Sequence, residues 1–186
     1  MKKLTKFKQL CALLGLFICL TACEKTETRH YDLLEPEKEP EMDITAYGVL
    51  AVNRENSGGK TANEGSPKVV DNDYKTKFLI NPYVDDLYLQ LSFPGGIAVG
   101  SYILASANDA QGRDPKDWTF AGSNDGTTWT TIDTKQGYLF ASRDQKVRFD
   151  VPNKEKYRYY RLSITAIRDG SGLFQLAEWR VNNVPE

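Results

Sequence analysis

Cysteine is confined to the first 23 residues of the chain, at Cys11, Cys19 and Cys23. The rest therefore offers no thiol nucleophile, no disulfide framework and no thiolate zinc site. Histidine is scarcer still. His30 stands alone in a polar segment, so no imidazole is available elsewhere to activate a serine or bind a metal. A formal net charge of −1 removes the basic field that nucleic-acid binding needs. No Gly-rich phosphate loop leads into a helix, and no apolar stripe keeps a helical period for a useful length. The apolar run at residues 10–20 is shorter than the roughly 20 residues of a membrane span.

That short run fits another use. Lys2, Lys3, Lys6 and Lys8 precede it, and Leu20-Thr-Ala-Cys23 closes it. A cationic start, an apolar middle and small residues before a cysteine make the layout of a bacterial lipoprotein signal. Residues 1–22 read as the signal peptide and Cys23 as the lipidated residue, so the membrane is reached through a lipid anchor. Residues 23–43 are acidic, contain proline and hold little apolar content, which predicts an extended tether. Glu24-Lys25 loosely resembles an export signal of surface lipoproteins, which implies an outer-membrane lipoprotein exposed at the cell surface. A tether facing the periplasm is the alternative.

From residue 44 the pattern is β. Strands are predicted over residues 45–52, 87–93, 99–107, 118–123, 145–151, 158–165 and 172–181, with a polar loop over 53–67. Leu87, Leu89, Leu91 and Phe93 alternate with polar residues, and Pro94-Gly-Gly96 is expected to end that strand. Tyr160, Leu162 and Ile164 share one face. Short strands separated by turn residues predict an all-β sandwich. The stretch SANDAQGRDPKDWTFAGSNDGTTW, residues 106–129, organises the rest. Its strand, Trp118 to Ser123, alternates with period 2. Asn124-Asp-Gly126 reverses the chain where Gly tolerates a positive φ. Before it lies a polar loop from Asn108 to Pro115. Trp118 and Trp129 read as core residues.

The segment SNDGTTWTTID resembles the hairpin of the discoidin domains, also called coagulation factor 5/8 type C domains. The longer stretch is similar to the bacterial form that overlaps with the family 32 carbohydrate-binding modules of Bacteroidetes. The resemblance covers about residues 45–183. It implies a discoidin-like, galactose-binding-domain-like jelly-roll sandwich, residues 44–186 forming the domain, and carbohydrate as ligand.

Three constellations carry chemistry. Asp71-Asn-Asp73-Tyr-Lys-Thr76 crowds carboxylates on a turn, where hard oxygen ligands suit Ca²⁺. The resemblance implies that Asp71, Asp73 and Thr76 supply such a site, that Glu178 completes it from the last strand, and that its role is structural. Asn72 stands where the family has Gly, a residue type that also visits the left-handed region. Second, the family's sugar-binding Tyr-Thr-Pro-Arg segment corresponds here to Tyr102-Ile-Leu-Ala, without the arginine. Asn108, Asp109 and Arg113 are the replacement candidates, since amide, carboxylate and guanidinium bond hydroxyls. A loop bonded only to itself is the equal alternative. Third, the resemblance implies a stacking aromatic before the last strand, and Phe174 occupies that place. Tyr83 and Tyr138 are expected to pack on the rim.

These features predict a non-catalytic, lipid-anchored surface protein that binds glycan. A glycosidase needs two carboxylates across a cleft, and a single small sandwich offers none. The alternative is an adhesion or structural module docking a protein partner in an outer-membrane glycan-utilisation complex. A third reading, an accessory to a hydrolase, lacks room for the hydrolase domain.

Overall fold

The computed structural model describes residues 40–152, 155–170 and 172–185. The chain divides into units Met1–Glu37 and Lys38–Glu186, and the described residues all belong to the second. The signal peptide, Cys23, His30 and most of the tether lie outside them.

Nine strands succeed one another among the described residues: β1 (Val49–Val52), β2 (Phe78–Ile80), β3 (Tyr88–Ala105), β4 (Pro115–Ser123), β5 (Thr130–Lys135), β6 (Lys146–Asp150), β7 (Lys156–Ile167), β8 (Phe174–Leu176) and β9 (Glu178–Asn183). Single 3₁₀ turns form at Thr45–Tyr47, Ser66–Val69 and Gln111–Arg113. The pairings are antiparallel, as the short strands and turn residues predicted.

β3 departs from expectation. Pro94-Gly95-Gly96 does not end the strand; it lies within an 18-residue β3. The register against β7 shifts between Ser92 and Ile97. Glycine permits the bulge and proline gives up only one ladder donor, so the strand bends and continues. Before the bend β3 pairs with β1 and β7; beyond it β7 continues only through Ile97 and Ala98, and from Val99 the partners are β6 and β9. One strand thus serves both layers, β1-β3-β7-β4-β5 and β6-β3-β9, while β2 and β8 form a separate pair.

Between the layers lies an aromatic core. Leu87, Leu89, Leu91, Phe93, Tyr160, Leu162 and Ile164 are each at most 2% exposed, so period-2 alternation marked the inward faces correctly. Tyr102, from the second half of β3, stacks on Phe120 of β4 at 4.7 Å and on Phe149 of β6 at 4.9 Å. Trp118 is buried, and its Nε1 donates to Tyr102 Oη at 2.9 Å, which in turn donates to Asp133 at 2.8 Å. That chain satisfies polar groups which burial would otherwise leave costly.

Other expectations are corrected. Trp129 is not core: it precedes β5, remains half-buried, and lies 3.9 Å from the Arg161 guanidinium. The first strand begins at Val49, because Tyr47 N bonds Ile44 O and Gly48 N bonds Thr45 O, winding residues 45–47 into a turn. The boundary at residue 44 also moves. Ser101 Oγ donates to Glu41 at 2.6 Å, Met42 N to Asn183 Oδ1 at 2.6 Å, and Arg180 Nε to Asp43 at 2.7 Å. Residues 41–43, assigned to the tether by composition, are docked on the domain.

Candidate functional site

The polar loop before β4 is held from beneath. Gln175 of β8 is fully buried, and its Nε2 donates to the carbonyls of Asp109 at 2.7 Å and Ala110 at 3.2 Å. Ala110 takes a φ of 36°, which turns the chain at that point. Arg143 reaches in from the β5–β6 connection. Its Nη1 donates to Asp109 O at 3.1 Å and to Asp114 Oδ1 at 2.8 Å, while Nη2 bonds Asp114 Oδ2. The Asp114 side chain is 2% exposed. Burial pushes its carboxyl up, against the pull of Arg143. A bidentate guanidinium is the partner a buried carboxylate needs.

Above this support the side chains face a groove. Lys77, immediately before β2, donates from Nζ to Asp109 Oδ1 at 2.7 Å and lies 3.5 Å from Asn108 Oδ1 and 3.7 Å from Glu64. The Lys77 hydrogen bond holds the Asp109 carboxyl below its usual range. Asn63, Glu64, Lys75, Thr76, Lys77 and Asn108 line a groove of about 300 Å³. Of the three candidates Asn108 lines this groove, while Asp109 meets it only through its bond to Lys77. Arg113 is not among the lining residues, and its guanidinium has no hydrogen-bond partner among the described residues.

Phe174 requires correction. It is 0% exposed, paired in register with Ile80, and packed edge-on against Phe78 at 6.2 Å and beside Tyr83 at 6.5 Å. Every residue of β8 is buried, so the strand has no wet face from which a ring could meet a sugar. Tyr83 and Tyr138 pack on the rim as expected. Tyr83 Oη donates to Ile164 O at 3.0 Å, and Tyr138 meets Trp118 edge-on at 5.3 Å.

The acidic turn gathers oxygen. Thr76 Oγ1 lies 3.0 to 3.1 Å from both Asp71 carboxylate oxygens, 3.0 Å from Asp73 O and 3.5 Å from Lys68 O. A hydroxyl carries one proton and cannot satisfy four acceptors. Asn72 turns the chain with a φ of 62°, and its N–H donates to Glu178 Oε1 at 3.0 Å. Arg180 Nη1 bonds the same oxygen at 3.0 Å, whereas Glu178 Oε2 is buried with no partner among the described residues. Burial pushes the Glu178 carboxyl up to about 7. The Asp73 carboxylate, expected as a ligand, instead accepts from Lys75 N at 3.0 Å, so only its main-chain oxygen faces Thr76. Among the described residues no three His, Cys, Asp or Glu side chains converge as a metal site. The oxygens here are two carboxylates, a hydroxyl and carbonyls.

A family model described as F5/8 type C domain matches residues 51–179. The chain belongs to that family. The hairpin on which the resemblance rested is ordered by Asp125, which accepts from Thr127 N and Thr128 N at 2.7 Å each and from Ser123 Oγ at 3.0 Å. Those bonds hold its carboxyl below the ordinary range, and Gly126 supplies the φ of 74°. Among solved structures, this F5/8 type C domain is similar to a family 32 carbohydrate-binding module of Clostridium perfringens in complex with galactose. The two share 10% identity with a TM-score of 0.61, covering 77% of this chain and 100% of that one. A second module of C. perfringens, in complex with GalNAc-β-1,3-galactose, aligns at 13% identity and TM-score 0.61, over 75% of this chain and 99% of the other. The C-terminal domain of a chitobiase from Bacteroides fragilis aligns at 16% and 0.61, over 79% and 99%. A curated relative, a peptide-N(4)-(N-acetyl-β-glucosaminyl)asparagine amidase of Arabidopsis thaliana, is 38% identical over 71 residues, 37% of this chain. The match spans 10% of that relative's length.

Proposed function

We propose that this protein is a non-catalytic glycan-binding protein, held at the outer membrane by a lipid on Cys23. The observation that carries the reading is the groove between residues 63–64, 75–77 and Asn108. There an ammonium, carboxylate and amide are fixed at the surface of a fold whose solved relatives hold galactose-type sugars. Lys77 and Asn108 would bond sugar hydroxyls, with Asp109 orienting the ammonium. Affinity at one such wet site is modest, and many anchored copies raise the effective concentration.

Calcium belongs to the same reading. Asp71, Thr76, the carbonyls of Lys68 and Asp73, and the unpartnered Oε2 of Glu178 form an oxygen set that fits a hard cation. Bound there, the ion would supply positive charge tying the loop before β2 to the start of β9. The role is structural, in a domain that has no disulfide.

Titration calorimetry with galactose and N-acetylgalactosamine oligosaccharides tests the function. Heat of binding is expected from the intact chain, with at least a tenfold loss in a Lys77→Ala/Asn108→Ala double variant. Undiminished binding by that variant would overturn the assignment of the groove. Metabolic labelling with a fatty acid, lost in Cys23→Ala, tests the anchor.

A further inference from the structure

The solvent face of the five-strand layer carries an arrangement that neither the fold nor the groove requires. The registers place three rows of residues across it. One runs Val49, Ser92 and Tyr159 and ends on the buried Ser123; the next runs Ala51, Gln90 and Arg161, then the buried Ala121 and the exposed Thr131; the third runs Tyr88, Ser163 and Thr119. Arg161 is the only charged side chain in these rows. Its guanidinium lies 4.0 Å from the Tyr88 ring centroid and 3.9 Å from that of Trp129, which folds over the sheet from the hairpin. Gln90 Oε1 accepts from Nη2 at 2.8 Å and Nε at 3.3 Å.

Among the described residues no carboxylate pairs with this cation. Asp86, two residues before Tyr88, is taken by Arg54 through two bonds of 2.7 Å. Asp125, on the adjoining hairpin, is committed to Thr127, Thr128 and Ser123. A second guanidinium, Arg158, lies 5.7 Å from the Tyr159 ring at the margin. Tyr88 and Tyr159 are four residues apart in β3 register, about 14 Å along the strands. The surface is hydroxyl-bearing, flanked by rings and unbalanced toward positive charge. A planar guanidinium fork matches a carboxylate, and rings beside it offer apolar faces.

We propose that this face is a second binding surface, taking a glycan chain whose sugars carry carboxylates, with Arg161 as the anion contact and Trp129 and Tyr159 as stacking rings. Charge complementarity selects the occupant: a neutral chain would leave the guanidinium without a counter-charge. The proposal is independent of the groove.

Affinity electrophoresis of the full chain through gels containing polygalacturonate or neutral galactan tests it. Retardation by polygalacturonate is expected, weakening as NaCl is raised. Arg161→Gln should weaken the apparent Kd at least tenfold. Tyr159→Ala, whose ring does not clamp Arg161, should weaken it several-fold with an unchanged thermal midpoint, so the test survives if Arg161→Gln unfolds. Absence of retardation in the intact chain overturns the proposal. So does full retention by folded Tyr159→Ala and Arg161→Gln variants, or loss of polygalacturonate binding in Lys77→Ala, which would place the acid in the groove. A dimer dissolved by Tyr159→Ala in light scattering would also overturn it, by assigning the face to a second copy.

Discussion

Arg143 and Asp114, 29 residues apart in the chain, form a two-point ion pair beneath the loop that carries Asn108 and Asp109. The carboxylate is sealed from solvent, and the guanidinium also holds the Asp109 carbonyl. Removing the guanidinium alone strands a buried charge. Arg143→Ala should cost about 3 kcal/mol or more in urea unfolding. Arg143→Lys should recover only part of this, since an ammonium cannot reproduce the fork. Equal stability of the alanine variant and the intact chain would contradict the role given to the pair.

Calcium should stabilise the chain. At a hundredfold excess over Kd the gain is about 2.7 kcal/mol, readable as a rise in thermal midpoint that a chelator reverses. Asp71→Ala should abolish the rise, because its carboxylate faces Thr76 Oγ1. Asp73→Ala should keep most of it, because that carboxylate is engaged by Lys75 N.

Phe174→Ala should be a stability variant. A fully buried phenylalanine cut to alanine costs about 3–5 kcal/mol. Glycan affinity measured on the folded fraction should be unchanged. A selective loss of affinity at full stability would restore the ring to the binding site.

The pH dependence follows from Asp109. Lys77 holds its folded-state carboxyl below the ordinary value of 3.8. Its stabilising contribution is thus present above pH 3.8 and is lost as pH falls through the lower folded value. The pair is partly exposed, so the contribution stays within about 1 kcal/mol. Comparing pH–stability curves of the intact chain and Asp109→Asn should show them converging toward pH 3 and separating above pH 4.

Much of this was legible in sequence, for identifiable reasons. Leu89, Leu91, Tyr160, Leu162 and Ile164 declared their faces because side chains alternate along a half-buried strand. Asn72 and Gly126 declared their turns because few residues accept positive φ. Phe174 misled because position before the last strand says nothing about what covers it; only the β2–β8 pairing buries it. Arg143 and Gln175 carry no local signal at all, since their partners lie 29 and 66 residues away. Lys77 stood one residue beyond the acidic turn, but the groove it lines exists only once the loop at Asn108 folds over. Trp129 left the core because the turn before β5 delivers it to the solvent side of the sheet.

The continuous run of β3 through both layers has a mechanical consequence. Neither layer can melt while the other survives, because each holds part of the same strand with neighbours bonded on both of its edges. Amide exchange at Leu89 and at Leu104 should therefore proceed at one common rate limit, set by global opening. A domain joined this way yields all at once under load, without a half-open state that proteases could trim.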